Sequence, residues 1–527
     1  MSFISYQYLL FLGIVFLLYW CLPFKGRIVL LIAGSYLFYG SWDTRFVALL
    51  LASTTVDYFC GLAIAQARKN LRKVFFTACL PAAWLIGYTA IIQDGSAVAA
   101  WVIGASCLFP FLFGLLYHFL WRFPEVRQRR AFLVLSILTN LGVLAFFKYF
   151  KFFADNFVAL FSLFGVNPGW TLPHIVLPIA ISFYTFQSIC YSVDIYRNKV
   201  EPMKEFLPFA AYLSFFPQLV SGPIERPNHL LPQFQKAASW DVQNLHSGIA
   251  LILIGLFKKV FVADNCALLA NYAFAPDTKL NAYWAILGVM AFAFQVYGDF
   301  SGYTDIARGS ARLLGIQLSA NFRFPYFASN PSDFWRRWHI TLSTWFRDYV
   351  YIPLGGNHGT SLLTLRNLYI TMLLAGLWHG ASWTFVLWGA YHGTLLILFH
   401  IMPFWQRVAD TNNKHVWQRV PSIVLMWILT LIGWSFFRSS NLGQLWNWFA
   451  ALGNWNASSS IYWVGPSLWW LLHVVPLLLF QLAQWKQSDE SSVKEFHWVF
   501  RGLMYAVLFI MITTSMVTDQ EFIYFQF

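Results

Sequence analysis

Apolar runs long enough to cross a bilayer recur along the whole of this 527-residue chain. A helical crossing needs about 20 mostly apolar residues. Such runs fall at 4–22, 46–66, 74–92, 97–121, 131–147, 174–195, 244–262, 282–297, 364–402, 421–437, 466–484 and 500–517. The 364–402 run is too long for one crossing and is expected to hold two; shorter candidates lie at 27–41 and 205–220. Backbone in lipid must satisfy its own hydrogen bonds, and helices do so within one segment. The expected fold class is therefore an all-α polytopic membrane protein with about a dozen or more helices, some re-entrant. Composition agrees, at 58% hydrophobic and only 11% charged residues. Met1–Gln7 has no basic residue and no small-residue cleavage site follows, so the first run is expected to stay as a span.

The formal charge of +13 raises nucleic acid or anionic lipid as partners. Its placement argues otherwise: the charge sets topology in membrane lipid, and no nucleic-acid partner is expected. Arg68, Lys69, Arg72 and Lys73 precede one apolar segment, and Arg122, Arg127, Arg129 and Arg130 follow the next. The tip between those segments, Gln93–Ser96, carries no positive charge. That asymmetry puts both basic loops in the cytoplasm and the tip outside. Six scattered cysteines without a CxxC pair give no metal-ligand pattern and read as small buried hydrophobes. No repeat or low-complexity tract divides the chain. The polar stretches 406–419 and 485–497 read as loops, so one membrane domain over 1–527 is expected.

The stretch Asp299–Gly359 departs from this pattern. It is rich in Gly, Pro, Arg and aromatics, and Gly298, Gly302, Gly309, Gly315, Pro325, Pro331 and Pro353 are expected to break it. Irregular backbone at membrane depth must be buried in protein or line a water-filled cavity. Asn330-Pro331-Ser332-Asp333 has the composition of a helix start: a cap, a proline at the first helical position and an acid in the first turn. One helix is expected to follow, with Trp335, Trp338, His339, Leu342, Trp345, Phe346 and Tyr349 on an aromatic face and Arg336, Arg337 and Arg347 beside it.

Ionisable groups inside spans are costly and mark function by default. His379 lies 13 residues past Arg366, and no Lys, Arg, Asp or Glu follows until Arg407. In a helix that is about 20 Å of rise, deep in a core of about 30 Å. Gly376 and Gly380 flank it and admit a close-packed backbone or a ligand. Function is the better reading there, against a histidine that merely bonds neighbouring helices. For His339, a chemical and an interfacial role stand level. His392, His118, His174, His400 and His473 read as helix-packing residues. Asp299 and Asp305 read as a pair tying a cavity-lining turn at least as well as an acid–base pair. Lys258-Lys259, after an apolar run, reads as a cytoplasmic anchor. Phosphate loops and nucleophile elbows are absent. A polysaccharide transporter remains an alternative, although it would scatter paired charges over both halves, and here the distinctive polar residues gather in 299–380.

Several segments carry a family resemblance: Leu177–Ser188, Val193–Arg197, Phe216–Ile224, Asp299–Ala307, Phe334–His339 (FWRRWH), Arg347–Asn357 (RDYVYIPLGGN) and Gly376–Ala381 (GLWHGA). In this order they resemble the membrane-bound O-acyltransferases, and among those the bacterial subunits that O-acetylate alginate. The resemblance implies a ring of transmembrane and re-entrant helices around a central funnel. It implies His379 as the active-site histidine and His339 as its support. It also implies no resident cofactor, acetyl-CoA as cytosolic donor, a polysaccharide acceptor, and a periplasmic acetylesterase-like partner, all at a bacterial inner membrane. Peptidoglycan O-acetylation and teichoic-acid D-alanylation are alternatives within the family. On charge alone, Arg336 or Arg337 is expected to hold CoA phosphates. Relative to the alginate subunits, 74–121 reads as an extra helical hairpin, and 299–380 as the motif-bearing core.

Overall fold

The computed structural model describes the chain except for residues 68–69, 93–96, 167–174, 221, 404, 407–415, 456–460, 485–496, 516–521 and 524–527. Arg68, Lys69, the 93–96 tip, His174 and Arg407 therefore lie outside the described residues. Among those described, the regular structure is entirely helical, and nine helices are long and apolar enough to span a membrane. The 364–402 run does divide in two, as Ser361–His379 and Trp383–Ile401.

The chain forms two compact units. The first comprises residues 1–244 and 310–318. Its buried helix is Arg45–Ile64, which packs against Leu80–Ile92, Glu125–Leu144 and Ile181–Tyr196. The segment proposed as an extra hairpin forms the helices Leu71–Ala78, Leu80–Ile92 and Ala97–Leu120 here. The second unit comprises residues 245–309 and 319–527 and holds every candidate site residue.

Within the second unit, the glycines of 298–309 do not break the chain as expected. Ala282–Leu313 is one helix of 32 residues. These glycines instead let a second helical segment, Val242–Ala273, lie against it backbone to backbone. A Cβ on Gly302 would stand 2.7 Å from the Gly255 carbonyl oxygen, and one on Gly309 would stand 2.6 Å from that of Gly248. The break falls at Gly315, whose φ of +72° suits glycine after a helix end, while the Ile316 N–H bonds back to the Ala311 carbonyl.

That close contact also overturns the reading of Lys258-Lys259 as a cytoplasmic anchor. Both lysines are buried at 1% exposure in a π-helical turn, Phe257–Ala263. Lys258 Nζ lies 2.8 Å from Asp305 Oδ2. Lys259 Nζ lies 2.8 Å from Asp264 Oδ1 and 2.7 Å from Asp299 Oδ1. Asp305 also meets Arg308 at 3.3 Å. Asp299 and Asp305 thus belong to a helix with buried ion pairs, and the expected cavity-lining turn is absent there. The contact explains the burial: with no side chain at Gly302, the Lys258–Lys259 backbone rests on the helix between the two carboxylates.

Candidate active site

The helix start at Asn330 forms as its composition predicts. The Asn330 side chain accepts from the Asp333 N–H at 2.8 Å, and Pro331 opens the helix Pro331–Arg337. The single helix expected beyond it is broken. Trp338 is extended, and His339 takes a left-handed φ of 42° before a second helix, Ile340–Phe346, begins. A left-handed backbone is costly for a residue with a side chain and persists where the surroundings impose it. Here they do. The Ile340 N–H bonds to the Asn321 carbonyl at 2.8 Å, and the Arg337 carbonyl accepts the Arg323 N–H at 2.9 Å.

The break turns the His339 ring into the protein, where it is fully buried. Its Nδ1 lies 3.1 Å from Asn321 Oδ1. The same oxygen takes the Thr341 backbone N–H at 3.2 Å, and a backbone N–H can only donate, so the Asn321 atom in question is an acceptor. His339 therefore carries its proton on Nδ1, and Nε2 presents a lone pair with no protein partner. Burial pushes the His339 pKa down to about 3, which keeps the ring neutral at working pH. The unfolded chain binds this proton near pH 6.5 and the native one does not, so stability falls as pH drops from about 6.5 toward 3. We expect thermal midpoints to decline over that window in the wild type, and less steeply in His339→Gln, by scanning fluorimetry across pH.

His379 is the last residue of Ser361–His379 and is 4% exposed. Gly376 explains how that helix end is held: a Cβ there would lie 2.3 Å from the Phe385 carbonyl oxygen and 3.1 Å from Gly389, so the Trp383–Ile401 backbone packs directly on it. The close approach that the flanking glycines permit is thus made by protein. Around the imidazole stand Trp388 (ring centroid 4.9 Å), Trp378 (5.0 Å) and Phe437 (5.1 Å). Trp378 also receives His339 at 5.8 Å, so one indole carries both histidines.

His379 forms part of the wall of a cavity of about 340 Å³, together with Trp335, Arg336, Arg347, Tyr351 and Thr371. The walls run from two exposed guanidinium groups to the buried imidazole. Residues 332–351 thus do line a cavity, as their irregular composition predicts. Of the two arginines singled out by charge, Arg336 is on the wall. Arg337 is not among the lining residues; its Nε lies 2.8 Å from Asp333 Oδ1. Arg347, which the sequence sets beside the aromatic face, and Tyr351, within the same family motif, also line the cavity; neither is singled out there as a phosphate contact. Asn321 was also missed, since nothing in its local sequence reports that an extended segment brings it to His339. His392 is a packing residue: it is 2% exposed, with its ring against Trp335 and Trp388. Buried ionisable groups are not confined to 299–380, as Lys258, Lys259 and Asp264 show.

One cavity of this helical membrane protein is thus lined by a buried histidine and two exposed arginines. The model of the membrane-bound O-acyltransferase family matches residues 202–442. The "Probable alginate O-acetylase AlgI" of Azotobacter vinelandii is 36% identical over 453 residues, covering 85% of this chain and 78% of its own. The peptidoglycan O-acetyltransferase of Helicobacter pylori is 33% identical, covering 78% and 71%. The teichoic acid D-alanyltransferase of Bacillus subtilis is 28% identical, covering 50% and 70%. The chain belongs to the membrane-bound O-acyltransferase family and is a multi-pass membrane acyltransferase.

Proposed function

We propose that this enzyme moves an acetyl group from cytosolic acetyl-CoA toward a hydroxyl of an extracytoplasmic polysaccharide, in a bacterial inner membrane and through a periplasmic esterase-like partner. The observation that carries this reading is that buried His379 and exposed Arg336 and Arg347 line one cavity. Guanidinium groups suit phosphate oxygens, and a CoA thioester threaded past them would bring its carbonyl toward the imidazole. Arg337, which does not line the cavity, is the weaker of the two original phosphate candidates.

In this mechanism His379 takes the proton of the acceptor hydroxyl as its oxygen attacks the thioester carbon. The tetrahedral intermediate then expels the CoA thiolate, which recovers that proton from the imidazolium. Neutral His339, with its Nε2 lone pair, is not on the cavity wall; it packs against the Trp378 indole that also meets His379, and supports the site through that indole. His339 has no proton on Nε2 to offer an oxyanion, so orientation, exerted through Trp378, is the better of its two candidate roles. The names of the relatives support acetyl over other acyl groups, and alginate-type polymers over peptidoglycan or teichoic acid, through the higher identity to alginate O-acetylases.

The test is to supply membranes, containing this chain and a candidate periplasmic esterase-like protein, with acetyl-labelled acetyl-CoA. Label is expected as hydroxide-labile ester on added polysaccharide or on the partner. Label found on neither, with D-alanine transferred from a carrier protein instead, would replace the acetyl reading.

A further inference from the structure

We infer that the first unit holds a sodium ion between the helices Arg45–Ile64, Glu125–Leu144 and Ile181–Tyr196, with Asp57 as its charged ligand. Asp57 is wholly buried, 12 residues past Arg45 in a span, or about 18 Å along the helix. A carboxylate at that depth demands a partner. Its Oδ1 has two: Ser136 Oγ at 2.7 Å and Asn140 Nδ2 at 2.8 Å. Ser192 stands behind, 2.7 Å from Ser136 Oγ. Since the Ser136 hydroxyl hydrogen is spent on Asp57, Ser192 is the donor to Ser136.

The other side of the cluster presents three buried oxygens, Asp57 Oδ2, Asn140 Oδ1 and Ser188 Oγ; the Ser188 hydroxyl is directed at the Asp57 carboxylate, and Asn140 Oδ1 has no hydrogen-bond partner. All three residues are at most 1% exposed. Register puts them at one level. Arg129 bonds the Tyr196 carbonyl and Ser136 meets Ser192, so the two helices run antiparallel. Asn140, one turn after Ser136, then stands level with Ser188, one turn before Ser192. Among the described residues no lysine or arginine pairs with Asp57.

Oxygen donors around one carboxylate suit a hard cation. The charge count selects its valence, because a monovalent ion cancels the single carboxylate and a divalent one would leave net charge in an apolar interior. The cluster contains neither His nor Cys, so it escapes a search of the sequence for transition-metal spacing.

The test is equilibrium binding of radioactive sodium to the purified full chain in nanodiscs, alongside thermal unfolding in sodium or choline chloride at equal ionic strength. One saturable site per chain is expected, competed by lithium but not by choline, with a midpoint several degrees higher in sodium. Asp57→Asn should lose both the binding and the sodium dependence. Should that variant fail to fold, Ser188→Ala is expected to keep the stoichiometry and weaken affinity several-fold. Absence of saturable binding to the wild type would overturn the inference, leaving a protonated carboxyl that ties helices. An undiminished sodium response in Asp57→Asn would overturn it as well.

Discussion

Membranes carrying His379→Ala, at wild-type protein levels, should form acyl ester no faster than membranes without the enzyme. A positioned general base contributes about 10²- to 10⁴-fold to rate, and His379 is the one histidine on the cavity wall. The alanine would leave Trp378, Trp388 and Phe437 in place, so insertion and thermal stability should change little. His379→Gln separates two roles for the ring. Glutamine can still hydrogen-bond a hydroxyl but cannot carry its proton at neutral pH, so it too should be inactive if proton transfer is the role. Ester-linked acetate measured by mass spectrometry, in a host lacking its own copy of the gene, gives the answer. Acetate from His379→Ala equal to wild type, above the empty host, would remove this residue from the chemistry.

The second large effect is on folding. Among the described residues, Lys259 is the cation paired with both Asp264 and Asp299, and all three are nearly inaccessible. Lys259→Met keeps most of the side-chain volume and strands two carboxylates. Removing one partner of a buried pair costs about 3–5 kcal/mol, enough to unfold a marginal protein. We expect the variant to be degraded, or to elute as aggregate in detergent. Lys259→Met with Asp264→Asn and Asp299→Asn removes the stranded charges and should recover a monodisperse peak. If Lys259→Met alone is as stable as wild type by scanning fluorimetry, these charges are not the constraint the geometry makes them.

These two residues also mark the limits of reading the chain as a string. The apolar runs placed the spans, and the division of 364–402 followed from length alone. The cap at Asn330 was legible because its hydrogen bond is local. His379 stood out because charge is absent on both sides of it. What stayed hidden was set by partners remote in sequence. Lys258-Lys259 at the end of an apolar run reads the same whether the side chains reach headgroups or carboxylates 40 or more residues away. Gly302 likewise reads as a helix breaker until the second helix that needs its bare Cα is known. The break at His339 depends on Asn321 and Arg323, which capture the backbone groups it frees. Arg336 and Arg337 are alike in type, and only the fold shows that the first lines the cavity while the second turns to Asp333.

The paired helices Val242–Ala273 and Ala282–Leu313 also constrain how the chain enters the bilayer. The first carries Lys258, Lys259 and Asp264 near its middle, and the second carries Asp299, Asp305 and Arg308. Alone in lipid, each such charge opposes insertion by about 3 kcal/mol, more than the flanking leucines and phenylalanines readily offset. Together, the lysines and aspartates neutralise one another across the contact at Gly302. Only eight residues, 274–281, join the two segments. Entry of the two segments as a hairpin, with the charges already paired, avoids the cost that either would meet alone.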